Sequence, residues 1–110
     1  MSRPLKLQII ERARALIQDN DRWCRNHIAL DANGLSVFPT CLSAVKSGLG
    51  ALIAAAYELT HDYDVAESLA YDALRPLCGT STLIHINDMR GHAATLALFD
   101  QAIAMKEDLP

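Results

Sequence analysis

The segment from residue 40 to residue 59 constrains the fold more than any other, because it predicts a helix that is apolar on nearly every face. Lys46 and Glu58 are its only charged residues. Most of its apolar side chains form one stripe at helical spacing, made of Leu42, Val45, Leu49, Leu52, Ile53, Ala56 and Leu59. Alanine, glycine and serine repeat at a spacing of four on the other faces. Such a helix is typical of a buried centre, so we expect the other helices to surround it.

Two glycines, Gly48 and Gly50, lie inside this predicted helix. A glycine in a helix interior costs about 1 kcal/mol relative to alanine. Close contact with another element of the fold would compensate for that cost. We therefore interpret both glycines as positions where a neighbouring element approaches the helix.

The rest of the chain also favours helices. Its 17 Ala and 16 Leu outnumber its 8 Ile and 3 Val, and alanine and leucine are the better helix formers. Apolar residues at helical spacing predict further helices over residues 4–19, from residue 64 to about residue 77, and from residue 87 to about residue 105. Their predicted caps are Ser2, Asp64 with Glu67, and Asn87 with Asp88.

Residues 27–38 interrupt the helical pattern and predict a β-hairpin. The Asn33-Gly34 pair is typical of a type I′ turn, with strands over residues 27–31 and 35–38. Residues 83–86 predict a short extended piece. The predicted fold is mostly α, a single helical domain over residues 1–110: an irregular four-helix bundle with a short β-hairpin inserted after helix 1.

Several short motifs are spread over nearly the whole chain. They are Trp23, the Ala29-x-Asp31-x-x-Gly34-x-x-Val37-x-Pro39 stretch, Gly50-Ala51-Leu52, the Asn87-Asp88 pair and Ala97-Leu98-Phe99-Asp100-x-Ala102-Ile103. Together they resemble a family of small bacterial and phage proteins that form a domain of unknown function. The chain departs from that family in having Ile86 where an aromatic residue usually stands. The resemblance supports the helical fold and implies no activity.

Charge is distributed unevenly, although the formal net charge is only -3. Residues 1–48 hold 7 Lys/Arg against 4 Asp/Glu, and residues 49–110 hold 3 against 9, which gives +3 and -6. This asymmetry favours binding to a protein partner or to a second copy of the chain. A pI near 5.7 argues against a dedicated nucleic-acid binder, which needs a concentrated basic surface.

Arg12, Arg22, Trp23 and Arg25 are the candidate partner-binding residues. Their guanidinium groups suit an acidic protein surface or a phosphate backbone, and tryptophan is a common anchor at interfaces. The alternative interpretation is that the arginines are solvated and Trp23 lies in the core.

His85, Asp88 and His92 are the candidate metal ligands, and His61, Asp62 and Asp64 form a second group. Imidazole and carboxylate groups suit Zn, Mn, Ni or Fe. The spacing matches no established ligand motif. The alternative is that Asp88 caps a helix and His92 packs at the edge of the core. A small metal-dependent enzyme is therefore the alternative function.

Three cysteines, Cys24, Cys41 and Cys78, suit neither a disulfide framework nor a CxxC zinc site. We expect them to be reduced and mostly buried. Cys24 stands between Arg22 and Arg25, and Cys41 falls in the first turn of the predicted second helix. Both settings lower the pKa of a thiol and are typical of nucleophiles, whereas a small buried apolar residue is the alternative.

No Gly-rich phosphate loop, export signal or membrane span occurs in the sequence. We therefore expect a cytoplasmic, non-enzymatic interaction module without a cofactor or a membrane partner. It would self-associate or bind a larger protein. The occurrence of the resembled family in phages adds a third hypothesis, in which the protein inhibits host machinery by masking a surface.

Overall fold

Helices make up most of the structure, a computed structural model that describes residues 3–108. The α-helices in this range are α1 (Leu5–Ile17), α2 (Gly48–Thr60), α3 (Tyr63–Ala73), α4 (Leu83–His85) and α5 (His92–Met105). Two short strands, β1 (Ala29–Leu30) and β2 (Val45–Lys46), pair antiparallel. Turns of 3₁₀ helix cover Asn20–Arg22, Arg75–Leu77 and Lys106–Asp108, and a π-helical turn covers Ile86–Arg90. The mostly α prediction is confirmed, with five helices in this range where the sequence predicted four.

Helix α2 lies at the centre of the packing. Its first nine residues, 48–56, are all buried. Helices α1 and α3 pack against it, and Gly48 faces Thr95 and Phe99 of α5. The prediction of a buried central helix is therefore confirmed for this stretch.

The predicted start of that helix at residue 40 is wrong. Ser47 caps α2 by accepting a hydrogen bond from the backbone N of Gly50 at 3.1 Å, so the helix begins eight residues later than predicted. Residues 38–44 form turns in which Cys41 N donates to the carbonyl of Phe38 at 3.0 Å. Leu42, which the sequence placed in the apolar stripe, is 85% exposed.

Strand β1 pairs with β2, a partner that the sequence did not predict. Ala29 is opposite Lys46, and Leu30 is opposite Val45. The partner strand therefore comes from the segment that the sequence assigned to the second helix. Residues 35–38, the predicted partner, also pair with this segment. Leu30 and Ser36 form an antiparallel bridge, Val37 N donates to the carbonyl of Ala29 at 3.2 Å, and Asp31 N donates to that of Leu35 at 2.9 Å.

The turn after β1 also differs from the predicted type I′ geometry, which requires a positive φ at both central residues. Gly34 has a φ of 79°, whereas Asn33 is not among the residues with positive φ. The Asp31 carboxylate organises the turn instead, because its Oδ1 accepts from the backbone N atoms of Asn33 and Leu35, both at 2.9 Å.

The predicted cap of α3 is wrong by two residues. Asp62, not Asp64, caps α3, and its Oδ1 accepts from Val65 N at 3.2 Å. Val65 is 44% exposed, and the buried residues of α3 are Ala66, Ala70 and Ala73. Ser2, the predicted cap of α1, lies outside the described residues.

The Asn87-Asp88 pair does not cap α5. It lies within the π-helical turn, and Gly91, with a φ of 93°, precedes the helix instead. Residues 83–85, which the sequence predicted as part of an extended piece, form α4, capped by the hydroxyl of Thr82. The two residues of the pair are therefore available for contacts elsewhere in the fold.

Gly48 and Gly50 both lie at close contacts, as the sequence analysis inferred. A Cβ on Gly50 would lie 2.1 Å from the carbonyl oxygen of Ile28. That oxygen also accepts from Ser47 N at 2.9 Å, so the backbone before β1 is fastened to the start of α2. A Cβ on Gly48 would meet a side-chain atom, Thr95 Cγ2, at 2.8 Å.

We expect Gly50→Ala to lower the free energy of unfolding by more than the ~1–3 kcal/mol typical of overpacking, because the obstructing atom is backbone. Gly48→Ala is the matched variant, because its Cβ meets a side chain instead of backbone. The change from glycine to alanine also adds about 1 kcal/mol of helix propensity. It should destabilise the protein less. Urea unfolding of both variants measures the difference, and equal stabilities would contradict the close approach at Gly50.

Candidate functional site

The four predicted partner-binding residues occupy two places. Arg12 and Arg22 line one cleft, whereas Trp23 and Arg25 lie outside its lining and pack on each other. The guanidinium carbon of Arg25 is 5.5 Å from the centroid of the Trp23 ring, within the range of a cation–π contact. The ring of His92 is tilted against the same indole, with 5.3 Å between centroids.

Trp23 is fastened to the interior by Asn87, which is 1% exposed. Asn87 Oδ1 accepts from Trp23 Nε1 at 2.7 Å and from Gly48 N at 2.9 Å. Asn87 Nδ2 donates to the carbonyl of Cys24 at 3.1 Å and to Asp88 Oδ1 at 3.0 Å. The amide thus uses its full bonding capacity within the protein. Asn87 therefore organises the fold and has no group left for a ligand.

A cleft of about 600 Å³ opens between α1, α2 and the loop before β2. We call it the basic cleft and define it by the charged residues Arg12, Arg22, Lys46 and Glu58 and the apolar residues Leu16 and Leu42. Three cations against one carboxylate make it positive. Every one of the three cations comes from the first 46 residues, in agreement with the positive charge of that part of the chain.

Lys46 is the most unusual residue of the basic cleft, because it is only 4% exposed. Its Nζ donates to the carbonyl oxygens of Cys41 at 3.1 Å and Ala44 at 3.0 Å. Burial, and then the charge of Arg22, lower the pKa of Lys46 below its ordinary value. Lys46 is not among the predicted site residues, because the sequence pattern indicates only a charged residue on a helix.

The two arginines of the basic cleft differ in their bonding. Arg12 Nε donates to Glu58 Oε2 at 2.9 Å, and this bond and charge raise the pKa of Arg12. Arg22 makes a longer contact, from Nη2 to the carbonyl of Leu42 at 3.5 Å. No carboxylate within residues 3–108 forms a salt bridge with Arg22. Arg22 therefore keeps free hydrogen-bond donors.

Exposed apolar side chains border the basic cleft. Leu42 is 85% exposed and Phe38 is 69% exposed. Phe38 packs edge to face on Tyr63 with 5.7 Å between centroids, and Tyr57 lies 6.3 Å from Tyr63. We call Phe38, Leu42, Tyr57 and Tyr63 the apolar rim. Exposed aromatic and leucine side chains beside cations are typical of surfaces that bind other proteins.

The structure does not bring the predicted metal ligands together. His85 is exposed, Asp88 Oδ1 accepts from Asn26 N at 2.8 Å, and His92 Nε2 donates to the carbonyl of Ile17 at 2.6 Å. In the second group, Asp62 is the cap of α3. Over residues 3–108, no three His, Cys, Asp or Glu side chains are placed to hold a metal ion. A metal-dependent activity stays a prediction.

Fold and site together define a mostly helical protein with one antiparallel strand pair and a positive cleft beside exposed apolar residues. The chain belongs to the family of unknown function DUF6197, which it matches over residues 1–105. No curated protein and no solved structure matches it. The resemblance to an uncharacterised domain family is thereby confirmed. None of the helices in residues 3–108 has both the length and the apolar character needed to span a membrane.

The three cysteines have different environments. Burial, and then the charge of Asp88, raise the pKa of Cys24 to about 11, and burial also raises that of Cys78. Cys41 lies in the turns before β2 and not in a helix, and a hydrogen bond with Ser43 lowers its pKa. The prediction of a lowered pKa at Cys24 is therefore wrong. Cys41 does have a lowered pKa, and its side chain is partly exposed.

We expect iodoacetamide at about pH 8 to alkylate Cys41 faster than Cys24 or Cys78. The thiolate is the reactive form, so its fraction rises at Cys41, where the pKa is lowered, and falls at the two buried thiols. Peptide mapping by mass spectrometry over time measures the three rates. Equal rates in the folded protein would contradict the burial of Cys24 and Cys78.

Proposed function

We propose that this protein is a non-enzymatic interaction module that binds a segment of a partner protein across the basic cleft and the apolar rim. The observation that carries the proposal is the exposure of Leu42, at 85%, directly beside the cations Arg22 and Lys46. A partner segment with an apolar anchor and acidic neighbours complements both features.

The energetics of such binding divide between the two features. Covering the apolar rim supplies most of the affinity, at roughly 25 cal/mol for each Å² of apolar surface removed from water. The cations of the basic cleft contribute mainly specificity and a faster association. Phe38 and Leu42 are therefore the candidate hot spots, and Arg12 and Arg22 set the preferred charge of the partner.

The shape of the site favours an inserted segment. A concave opening of about 600 Å³ admits a few side chains of a loop or an extended chain. A separate protein that presents such a segment is the occupant we propose, and inhibition of host machinery is one form of such binding. A second copy of this chain is the competing occupant, and the experiment distinguishes the two.

The test compares the wild type with Leu42→Ser and with Met89→Ser, a control at a side chain that is 70% exposed and does not line the cleft. Each protein is used to capture partners from a lysate of the native cell. We expect one partner to bind wild type and Met89→Ser alike and to bind Leu42→Ser at least ~10-fold more weakly, as for a hot-spot residue. Surface substitutions of this kind change stability by only about 0.5 kcal/mol, so both variants should melt like the wild type.

Two results would contradict the proposal. One is a partner that Leu42→Ser retains as well as the wild type does. The other is a wild-type dimer in sedimentation that Leu42→Ser converts to a monomer, which would assign the apolar rim to a second copy of the chain.

A further inference from the structure

The lining of the basic cleft includes a buried cation without a carboxylate at salt-bridge distance. Lys46 is 4% exposed, and its two hydrogen bonds go to uncharged carbonyl groups. Within residues 3–108, no carboxylate lies within salt-bridge distance of its Nζ. A buried charge without a carboxylate in direct contact is expensive to maintain. An arriving anion would therefore relieve an existing cost.

The hydrogen bonds of the Lys46 ammonium leave one of its N–H donors for a ligand. An ammonium group has three N–H donors, and the carbonyls of Cys41 and Ala44 take two of them. The third is left on a side chain that lines the cleft. Arg22 lines the same cleft. Among residues 3–108, its guanidinium makes a single hydrogen-bond contact, from Nη2 to Leu42 O at 3.5 Å.

We infer that Lys46 and Arg22 together bind one carboxylate group, carried by an acidic residue or the chain end of the partner segment. This inference rests on the proposed function for the source of the carboxylate. The cleft already contains one example of the chemistry, since the Glu58 carboxylate accepts from Arg12 Nε at 2.9 Å and Nη2 at 3.4 Å. Charge-assisted hydrogen bonds of this kind are shorter and stronger than neutral ones.

The remaining lining favours a carboxylate with an apolar neighbour over a free phosphate. Leu16, Leu42 and Ala54 line the cleft beside the cations, so the ligand must bring apolar atoms to cover them. Glu58 also lines the cleft, and its negative charge repels a phosphate dianion more than it repels a single carboxylate. The site therefore takes an anion of low charge attached to an apolar group.

The experiment uses small probes, so that it does not depend on finding the partner. Phenylacetate supplies a carboxylate with an apolar ring, phenylacetamide is its neutral match, and inorganic phosphate is the competing anion. Each is titrated at millimolar concentrations into the ¹⁵N-labelled full chain, and NMR shifts are followed at Lys46, Ser47 and the Arg22 side chain. We expect saturable shifts with phenylacetate, and at least ~10-fold weaker binding of phenylacetamide, the loss expected for one charged hydrogen bond.

Three variants locate the charge. Lys46→Met should abolish the preference for phenylacetate over phenylacetamide, and Arg22→Gln, at an exposed side chain, should reduce it even if Lys46→Met does not fold. Arg25→Met is the matched control, since Arg25 lies on Trp23 and not in the cleft, and it should bind phenylacetate like the wild type.

Several results would overturn the inference: no saturable shifts with phenylacetate, equal binding of phenylacetamide, an unchanged preference in Arg22→Gln, or tighter binding of phosphate. None of these results contradicts the proposal that the apolar rim binds a partner. Conversely, equal partner capture by wild type and Leu42→Ser, together with intact phenylacetate binding, would contradict the proposed function alone.

Discussion

The hydrogen bonds of one buried side-chain amide hold together the parts of the chain that form the site. Asn87 lies in the π-helical turn before α5 and bonds the indole of Trp23, the backbone carbonyl of Cys24 and the first residue of α2. Its contacts with Trp23 and Gly48 span 64 and 39 residues of sequence. The bonds to Gly48 N and to the carbonyl of Cys24 are buried, so losing the amide would leave a buried donor and a buried acceptor without partners, at a cost of about 1–3 kcal/mol for each. Such a network specifies one arrangement of the segments.

The same region determines the shape of the basic cleft. Cys24 N donates to the carbonyl of Lys46 at 3.0 Å, so the segment that Asn87 fastens is also bonded to β2. Strand β2 then carries the Lys46 side chain into the interior, where it lies 4% exposed. The protein maintains a buried ammonium at a cost in stability. A cost of this kind is typical of residues kept for binding.

Sequence periodicity predicted the parts of the fold that depend on local patterns. Helix α1 and residues 48–56 of α2 follow from apolar spacing, because that spacing itself produces the buried face. Asp62 caps α3 where the sequence predicted Asp64. Both aspartates have the side chain that a cap requires, so local sequence does not distinguish them.

The site could be predicted only in part, because its key contacts join distant residues. The partner of β1 comes from residues 45–46, which share the apolar pattern of the helix that follows them. Because that pattern predicts a helix at residues 45–46, it does not indicate that Lys46 is buried. Asn87 was assigned to a cap because asparagine is common there, and nothing in the neighbouring residues indicates its bond to Trp23. Arg12 and Arg22 are candidates by residue type alone, and only the tertiary structure places them in a common cleft.

Hydrogen exchange at two Asn87-bound protons tests the central claim most directly. These are the indole N–H of Trp23 and the backbone N–H of Gly48, observed by NMR in the native protein. If the Asn87 amide unites the fold, both should exchange only through global unfolding, with the same free energy as the most protected amides of α2. Exchange of either proton at a much lower free energy, as for a fraying loop, would show that the segment opens independently and would contradict the account.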